Sequence, residues 1–177
     1  MCMVTQDLGK YKGSHPEEVR RMMYAIGSGD LLGLESSVRG GQVDINSDTF
    51  DGRSGLGLAM QAEKGDAAAL LLRSRADPNR RDGNGLTPIF YGLSNPESDT
   101  KYEMIKLILD AGADASARAP NGESAYEYAK RTSSRRIVEL IEGAAARARA
   151  ARDAAVGTAM ERISAALGDI SEELRSE

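Results

Sequence analysis

The sequence predicts an all-α chain, a solenoid of short helix-turn-helix repeats followed by a long C-terminal helix. A similar short segment begins at Gly52, Gly85 and Gly122, and these glycines are 33 and 37 residues apart. Each segment is followed by two apolar stretches with helical spacing. From residue 144 onwards the chain is rich in Ala and Arg, which are strong helix formers. Together, the repeat period and this tail predict the fold class.

Each repeat opens with a turn and a helix start. Ser54, Thr87 and Ser124 follow the three glycines by two residues and are residue types that cap helices. Pro88 stands at the first helical position, where its missing N–H is not needed. These residues predict the first helix of three successive units.

A second helix is expected in each unit. Gly-Asp pairs at 29–30 and 65–66 predict the preceding turn in the first two units. In the third unit, an apolar run at 101–109 predicts the helix and Gly112 its end. Neither helix can bury its apolar face alone, so neighbouring units must stack.

The unit endings keep the same period. They lie at 43–46, 76–79 and 113–116, again 33 and 37 residues apart. The longer spacing predicts an insertion at 94–100 in the third unit. Around Gly65, the second unit is expected to have a first helix two residues longer and a second helix two residues shorter than usual.

These motifs resemble the ankyrin repeat, whose consensus opens with Gly-x-Thr-Pro-Leu-His and ends with Gly-Ala-Asp-Val-Asn. The third unit is the most similar, with Gly-Leu-Thr-Pro-Ile-Phe at 85–90 and Leu-Ile-Leu-Asp-Ala-Gly-Ala-Asp at 107–114. The consensus histidine is replaced by Gly57, Phe90 and Glu127. The resemblance implies an N-terminal arm at 1–14, a repeat domain at 15–142 with units at 15–47, 48–80, 81–117 and 118–142, and a helical extension at 143–177.

The composition argues against catalysis. A single cysteine, Cys2, excludes an internal disulfide and a cysteine-built zinc site. The single histidine, His15, lies in a predicted capping box at 14–17 and has no second His or Cys to act with. The glycine-rich segment 52–57 lacks the lysine of a phosphate loop, and the segment 82–85 lacks the ligands of a calcium loop. We expect no enzyme activity, no metal and no cofactor.

Charge and hydropathy give the expected location. The formal net charge of −4 offers no general reason for nucleic-acid binding. Neither a signal-peptide core nor a transmembrane stretch is visible, which favours the cytoplasm.

The ankyrin resemblance implies a protein-binding face made of turn tips and first helices. The positions it assigns are Phe50, Asp51, Arg53, Gln61, Arg80, Arg81, Asn84, Leu86, Tyr91, Ser94, Arg118, Asn121 and Arg131. Phe50 is either an anchor for a partner or packed on its neighbouring turn. Of the neighbours Phe90 and Tyr91, one is expected in the core. The inserted loop at 95–100 is either a specificity element or passive.

Three functions fit this surface. The first is an adaptor that binds protein partners without catalysis. The second is a dedicated inhibitor or immunity-type protein that blocks one enzyme or toxin, and the acidic charge slightly favours a basic target. The third is nucleic-acid contact through the basic stripe at 131–152, which would show a steep salt dependence. One tight partner favours the inhibitor, and several weaker partners favour the adaptor.

The tail carries an apolar seam with alternating spacings of 4 and 3, as in a heptad repeat. Its members are Val156, Met160, Ile163, Leu167, Ile170 and Leu174. Residues 131–152 carry a net charge of +4 and residues 153–177 a net charge of −4. The helix either folds back to cap the repeats, or it mediates self-association or the capture of a partner. One form of self-association is an antiparallel homodimer, in which basic and acidic halves lie side by side.

Overall fold

The computed structural model describes residues 16–49 and 51–176, with side chains from 17 to 49 and from 51 to 167. Within these ranges the chain forms helices and no strand, which confirms the predicted all-α class. The helices are α1 (Pro16–Ser28), α2 (Leu31–Arg39), α3 (Gly55–Gln61), α4 (Gly65–Arg73), α5 (Pro88–Leu93), α6 (Asp99–Asp110), α7 (Ala125–Thr132) and α8 (Arg135–Ser176).

The helices stack as four antiparallel pairs in two rows. The first helices α1, α3, α5 and α7 contact one another in order, and the second helices α2, α4, α6 and α8 form the other row. A continuous core runs between the rows, with Ile26, Leu71, Ile89, Ile105 and Ile141 fully buried. Each unit therefore buries its apolar face against its neighbours, as the repeat pattern requires.

Polar contacts join the units along the turns. The Gly83 N–H donates to the Gly52 carbonyl at 2.8 Å, which ties two turn tips together. At the unit endings, the Asn46 amide oxygen accepts from the Asp77 N–H at 2.9 Å. Asn79 repeats this contact one unit later, accepting from the Asp114 N–H at 2.6 Å.

This asparagine ladder stops in the third unit ending. Ser116 stands where an asparagine would continue it, and its hydroxyl donates to the Asp114 carboxylate at 2.6 Å. Asn79 also donates to the Gly112 carbonyl at 2.9 Å. Both the nitrogen and the oxygen of its side-chain amide therefore bond to the third unit ending.

The three predicted capping residues all stand at helix starts. The Ser54 hydroxyl accepts from the Gly57 N–H at 3.0 Å. Ser124 forms a full capping box with Glu127. Thr87 has the extended backbone of an N-cap but makes no side-chain cap bond, and its buried hydroxyl has no partner among the described residues.

The second unit differs from our expectation. Gly65 is not a turn residue but the first residue of α4, and the left-handed turn position is Glu63, with φ of 54°. The predicted longer first helix is wrong, because α3 has 7 residues, between the 6 of α5 and the 8 of α7. The predicted shorter second helix is wrong as well, because α4 has 9 residues, the same number as α2. The turn therefore lies two residues before the glycine that was expected to form it.

The extension also differs from our expectation. We expected the fourth unit to end near Gly143, but α8 passes through it as one helix of 42 residues. A glycine inside a helix costs about 1 kcal/mol relative to alanine. The alanine-rich run that follows offsets this cost, so the helix does not stop.

The described part of the extension does not cap the repeats. Ala144 and Ala145 still pack against the core, but every residue from 146 to 167 is exposed. The apolar seam is exposed as well, so the fold-back interpretation is wrong for this part of α8. For Ile170 and Leu174 the structure describes only the helical backbone.

Candidate protein-binding face

The turn tips and first helices of the second, third and fourth units place a set of polar and aromatic side chains along one side of the stack. Gln61, Ser94 and Arg131 occupy equivalent positions, 33 and 37 residues apart, and all three are exposed. We define the turn–helix face by the exposed or half-buried side chains of Asp51, Arg53, Gln61, Asn84, Ser94, Glu123, Tyr128 and Arg131.

In the second unit, Arg53 is held by its neighbours. Its guanidinium donates to the Asp51 carboxylate and to the Gln61 amide oxygen. The hydrogen bond from Arg53, and then one from Thr49, lowers the pKa of Asp51 to about 2. The pair therefore stays ionised at neutral pH, and the guanidinium has a fixed orientation on the face.

In the third unit, the buried Tyr91 side chain holds Asn84 of the turn–helix face by a hydrogen bond. It is only 7% exposed, and its hydroxyl donates to the Asp82 carboxylate at 2.7 Å. Burial, and then the bond to Asp82, raises the pKa of Tyr91 to about 12. The Asn84 amide donates to the Tyr91 hydroxyl at 3.2 Å and to the Asp51 carbonyl at 3.1 Å. This network joins the second and third turns.

Phe90 lies beside Tyr91 in sequence and is 2% exposed. Its ring meets the Tyr128 ring edge to face, with centroids 5.9 Å apart and planes at 88°. We expected one of the two neighbours Phe90 and Tyr91 in the core, and the structure buries both.

In the fourth unit, Arg131 is fixed by a carboxylate and a ring. It donates to Glu123 through Nε at 3.2 Å and through a terminal nitrogen at 3.1 Å to both oxygens. Its guanidinium lies 4.9 Å from the centre of the Tyr128 ring. The Tyr128 hydroxyl lies 3.0 Å from the Ser94 hydroxyl, which connects this group to the third unit.

The arginines of the turns bond to backbone and to neighbouring turns. Arg81 and Arg118 are equivalent, and they donate to the carbonyls of Gly85 at 2.8 Å and Gly122 at 2.7 Å. Arg80 is half-buried and forms an ion pair with Asp48 of the preceding turn. Its side chain therefore joins two turns rather than extending from the face.

The remaining predicted positions are of three kinds. Leu86 is half-buried and packs against the core. Asn121 is exposed at the tip of the last turn. Phe50, the predicted anchor, lies outside the described residues.

The inserted loop is joined to both neighbouring units. The Asn95 amide donates to the Met60 carbonyl at 2.8 Å. The Glu97 carboxylate accepts from the Ser134 N–H at 3.1 Å, at the start of α8. Lys101 lies between them with a fully buried side chain, 2.9 Å from the Asn95 carbonyl and 3.7 Å from Glu97. These contacts favour a structural role for the loop over a specificity role.

Glu97 is charged in this setting. Burial alone would raise its pKa, but the hydrogen bonds from Ser134 and the charge of Lys101 together lower it below the ordinary value. The ionised carboxylate therefore matches the buried ammonium group.

Sequence reasoning missed several of these residues. Tyr128 lies 37 residues after Tyr91, so the repeat period alone could have found it. Glu123 lies one residue before the cap Ser124, and nothing in the sequence marks it as the partner of Arg131. Lys101 begins the predicted apolar run, and no pattern indicated that its side chain is buried.

The arrangement can bind through hydrogen bonds, ion pairs and ring contacts. Within the described part of the chain, no group of His, Cys, Asp and Glu side chains is placed to hold a metal ion. None of the described helices combines the length and the apolar character needed to cross a membrane.

Comparison with solved structures agrees with the helical repeat fold described above. No protein-family model and no curated protein matches the sequence. The structure is similar to the crystal structure of an ankyrin repeat domain from Acinetobacter baumannii AYE, with a TM-score of 0.65 and 21% sequence identity. The match covers 70% of this chain and 63% of the other chain. The chain therefore has the ankyrin-repeat fold, as predicted.

Proposed function

We propose that the chain is a non-enzymatic adaptor that binds a protein partner on the turn–helix face. The observation that carries this proposal is the fixed orientation of Arg53 and Arg131, each held by acidic or aromatic neighbours within its own unit. Side chains that are already ordered lose little conformational entropy when a partner binds. Arginine and tyrosine are also the residue types that most often dominate binding energy at interfaces.

The alternative is a dedicated inhibitor or immunity-type protein that blocks one enzyme or toxin. The face carries both signs of charge, with Asp51 and Glu123 beside Arg53 and Arg131. A face of mixed sign does not create the single-sign field that steers one strongly charged target. This favours the adaptor, and partner number distinguishes the two functions.

Nucleic-acid contact through the stripe 131–152 is a weaker alternative. Three of its arginines are already paired, since Arg131 bonds Glu123, Arg135 bonds Glu139 at 2.7 Å and Arg136 bonds Asp99 at 3.1 Å. Arg136 also stacks 3.7 Å from the centre of the Tyr102 ring. Paired arginines release fewer counterions on binding phosphates, which weakens this mode.

The test compares two charge-matched double variants as bait in affinity capture from the source lysate. Arg53→Glu with Arg131→Glu alters the turn–helix face. Arg73→Glu with Lys106→Glu changes net charge equally on exposed positions of the second helices. We expect the first variant to lose partner recovery at least tenfold and the second to keep it, with both melting as cooperatively as the original chain.

Equal recovery with both variants would place the site elsewhere. A single stoichiometric partner that resists a high-salt wash, and that is itself an enzyme, would favour the inhibitor over the adaptor. Recovery of nucleic acid with a steep loss in salt would favour the third function.

A further inference from the structure

We propose that the projecting part of α8 pairs antiparallel with the same segment of a second copy of this chain. The seam residues Val156, Met160, Ile163 and Leu167 are 62%, 62%, 55% and 61% exposed. These four side chains form one apolar stripe on a helix whose residues 146–167 are all exposed. This inference rests on α8 alone and does not depend on the proposed function.

The positions that flank the seam are small and uncharged. Gly157 and Ser164 lie on one side of it, and Ala159 and Ala166 on the other. In paired helices these flanking positions usually carry charges. Small residues there allow two helices to approach closely, and they widen the apolar face. Such a face suits a packed helix better than a solvated one.

Charge complementarity identifies a second copy as the occupant. Antiparallel pairing with Met160 opposite Ile163 also sets Val156 opposite Leu167. This register places residues 147–152, with a net charge of +3, beside residues 171–176 of the other copy, with a net charge of −1. The complementarity occurs twice, because a two-fold axis relates the copies.

The competing arrangements are less favourable. A parallel pair sets the segments of +3 beside each other. Moving the antiparallel register one heptad toward the C-terminus places residues 169–176, with a net charge of −2, beside residues 154–161, with a net charge of −1. Like charges at this spacing repel, so the charge pattern selects both the orientation and the register.

The continuous helix leaves room for the repeat domains. From residue 146 to the centre of the seam near residue 162, the helix rises roughly 24 Å. In an antiparallel pair the two repeat domains then lie on opposite sides, separated by about 50 Å along the axis. Neither domain blocks the seam of the other copy.

The first test is the mass of the full chain in solution by light scattering over a range of concentrations. One chain has a mass of 18.9 kDa, and we expect twice that value at high concentration. Met160→Glu with Ile163→Glu should give a single-chain mass with unchanged helix content. Thr158→Glu with Ala165→Glu, on the opposite side of the helix, should remain dimeric.

Three outcomes would overturn the proposal. These are a single-chain mass at all concentrations, a dimer that survives the Met160→Glu and Ile163→Glu changes, and an assembly larger than a dimer.

The second test measures orientation. In a Cys2→Ser background, a spin label on Ala150→Cys should be about 35 Å from its counterpart in the antiparallel register. A parallel pair would bring the two labels to about the interaxial distance of 10 Å. The shorter distance would contradict the antiparallel arrangement, while a seam-dependent dimer would still show that the seam pairs.

Discussion

At the scale of single residues, the second unit contains two left-handed positions that are not glycine. Glu63 has φ of 54° and Arg75 has φ of 69°. The equivalent positions in neighbouring units are Gly29 and Gly112, with φ of 79° and 91°. An L side chain in this region costs roughly 1–2 kcal/mol. The second unit is therefore locally strained where its neighbours are not.

Replacing the strained residue should stabilise the fold. We expect Arg75→Gly to raise the free energy of unfolding by about 0.5–1 kcal/mol, because relief of strain exceeds the extra chain entropy of glycine. Gly112→Ala, at the matching position one unit later, should lower it by about 1 kcal/mol. Urea unfolding measures both changes. Equal effects of the same sign would contradict this account.

Gly57 replaces the consensus histidine and makes room for a ring. A Cβ on Gly57 would lie 2.9 Å from the Tyr91 ring, and that ring is held by its bond to Asp82. We expect Gly57→Ala to lower the free energy of unfolding by about 1–2 kcal/mol, despite the better helix propensity of alanine.

The matched control for this change is Gly27→Ala in α1. No atom outside its own turn lies within 4 Å of a Cβ there. It should gain up to about 1 kcal/mol from helix propensity. Thermal melts of the two variants should move in opposite directions, and a stabilised Gly57→Ala chain would show that Tyr91 is free to move.

The helix caps show which single-residue features the sequence predicts and which it does not. Ser124 was predictable as a cap, because a glutamate three residues later completes the box. Thr87 carries the same helix-start signal, yet the residue three positions later is Phe90, whose side chain offers no hydrogen-bond partner. The capping signal predicts the helix start, but it does not predict the cap bond itself, since Ser54 accepts from the Gly57 N–H and Thr87 makes no such bond.

At the scale of elements, the inserted loop and α6 depend on one buried ammonium group. Glu97→Ala removes the ion-pair partner of Lys101 and the acceptor of the Ser134 N–H. We expect the free energy of unfolding to fall by roughly 1–3 kcal/mol, since the Lys101 side chain is fully buried and loses the carboxylate that balances its charge.

Glu103→Ala serves as the control, because Glu103 is an exposed residue of the same helix. It should change the free energy of unfolding by less than about 0.5 kcal/mol. Chemical unfolding curves compare the two variants. A small effect at Glu97 would mean that another group compensates Lys101.

Helix starts were more predictable than helix ends. A capping residue acts locally, so the starts of α3, α5 and α7 follow from a few adjacent residues. Whether α8 ends at Gly143 depends on competition between this glycine and the alanine run that follows it. Gly112 ends a helix with φ of 91°, whereas Gly143 continues one, although both follow an apolar helical segment.

At the scale of the whole molecule, titration of carboxyl groups should set the acid limit of stability. The pKa of Asp51 is lowered to about 2 by its bond from Arg53, and the pKa values of Glu97 and Asp114 are also lowered. For Asp114, the hydrogen bond from Ser116 is the largest cause. A carboxyl whose pKa is lower in the folded state contributes stability above its ordinary pKa, and this contribution is lost as pH falls.

The ionisation of Tyr91 should set the alkaline limit of stability. Its pKa is raised to about 12, so its contribution is present below its ordinary pKa and is lost as pH rises through 12. We expect the melting temperature to be flat from about pH 5 to pH 9 and to fall on either side. Calorimetry from below pH 5 to above pH 9 tests this profile of the melting temperature. A melting temperature that changes steeply between about pH 6 and pH 8 would contradict it.

The repeat architecture was predictable because the period is a property of the whole chain. The similar segments that begin at Gly52, Gly85 and Gly122 predict stacked repeats without any knowledge of side-chain contacts. The turn–helix face was less predictable. Arg80 and Arg53 look alike in the sequence, yet Arg80 joins a neighbouring turn while Arg53 is held on the face. That difference depends on contacts between units.

The uninterrupted course of α8 has a consequence for the length of the stack. In a solenoid, each unit presents an end surface that templates the next one, so growth is open-ended unless something terminates it. A fifth unit would need the chain to reverse after the second helix of the fourth. In α8 the helix runs straight through that point at Gly143. Within residues 16–49 and 51–176, the alanine run therefore terminates the array by removing the reversal that another layer requires.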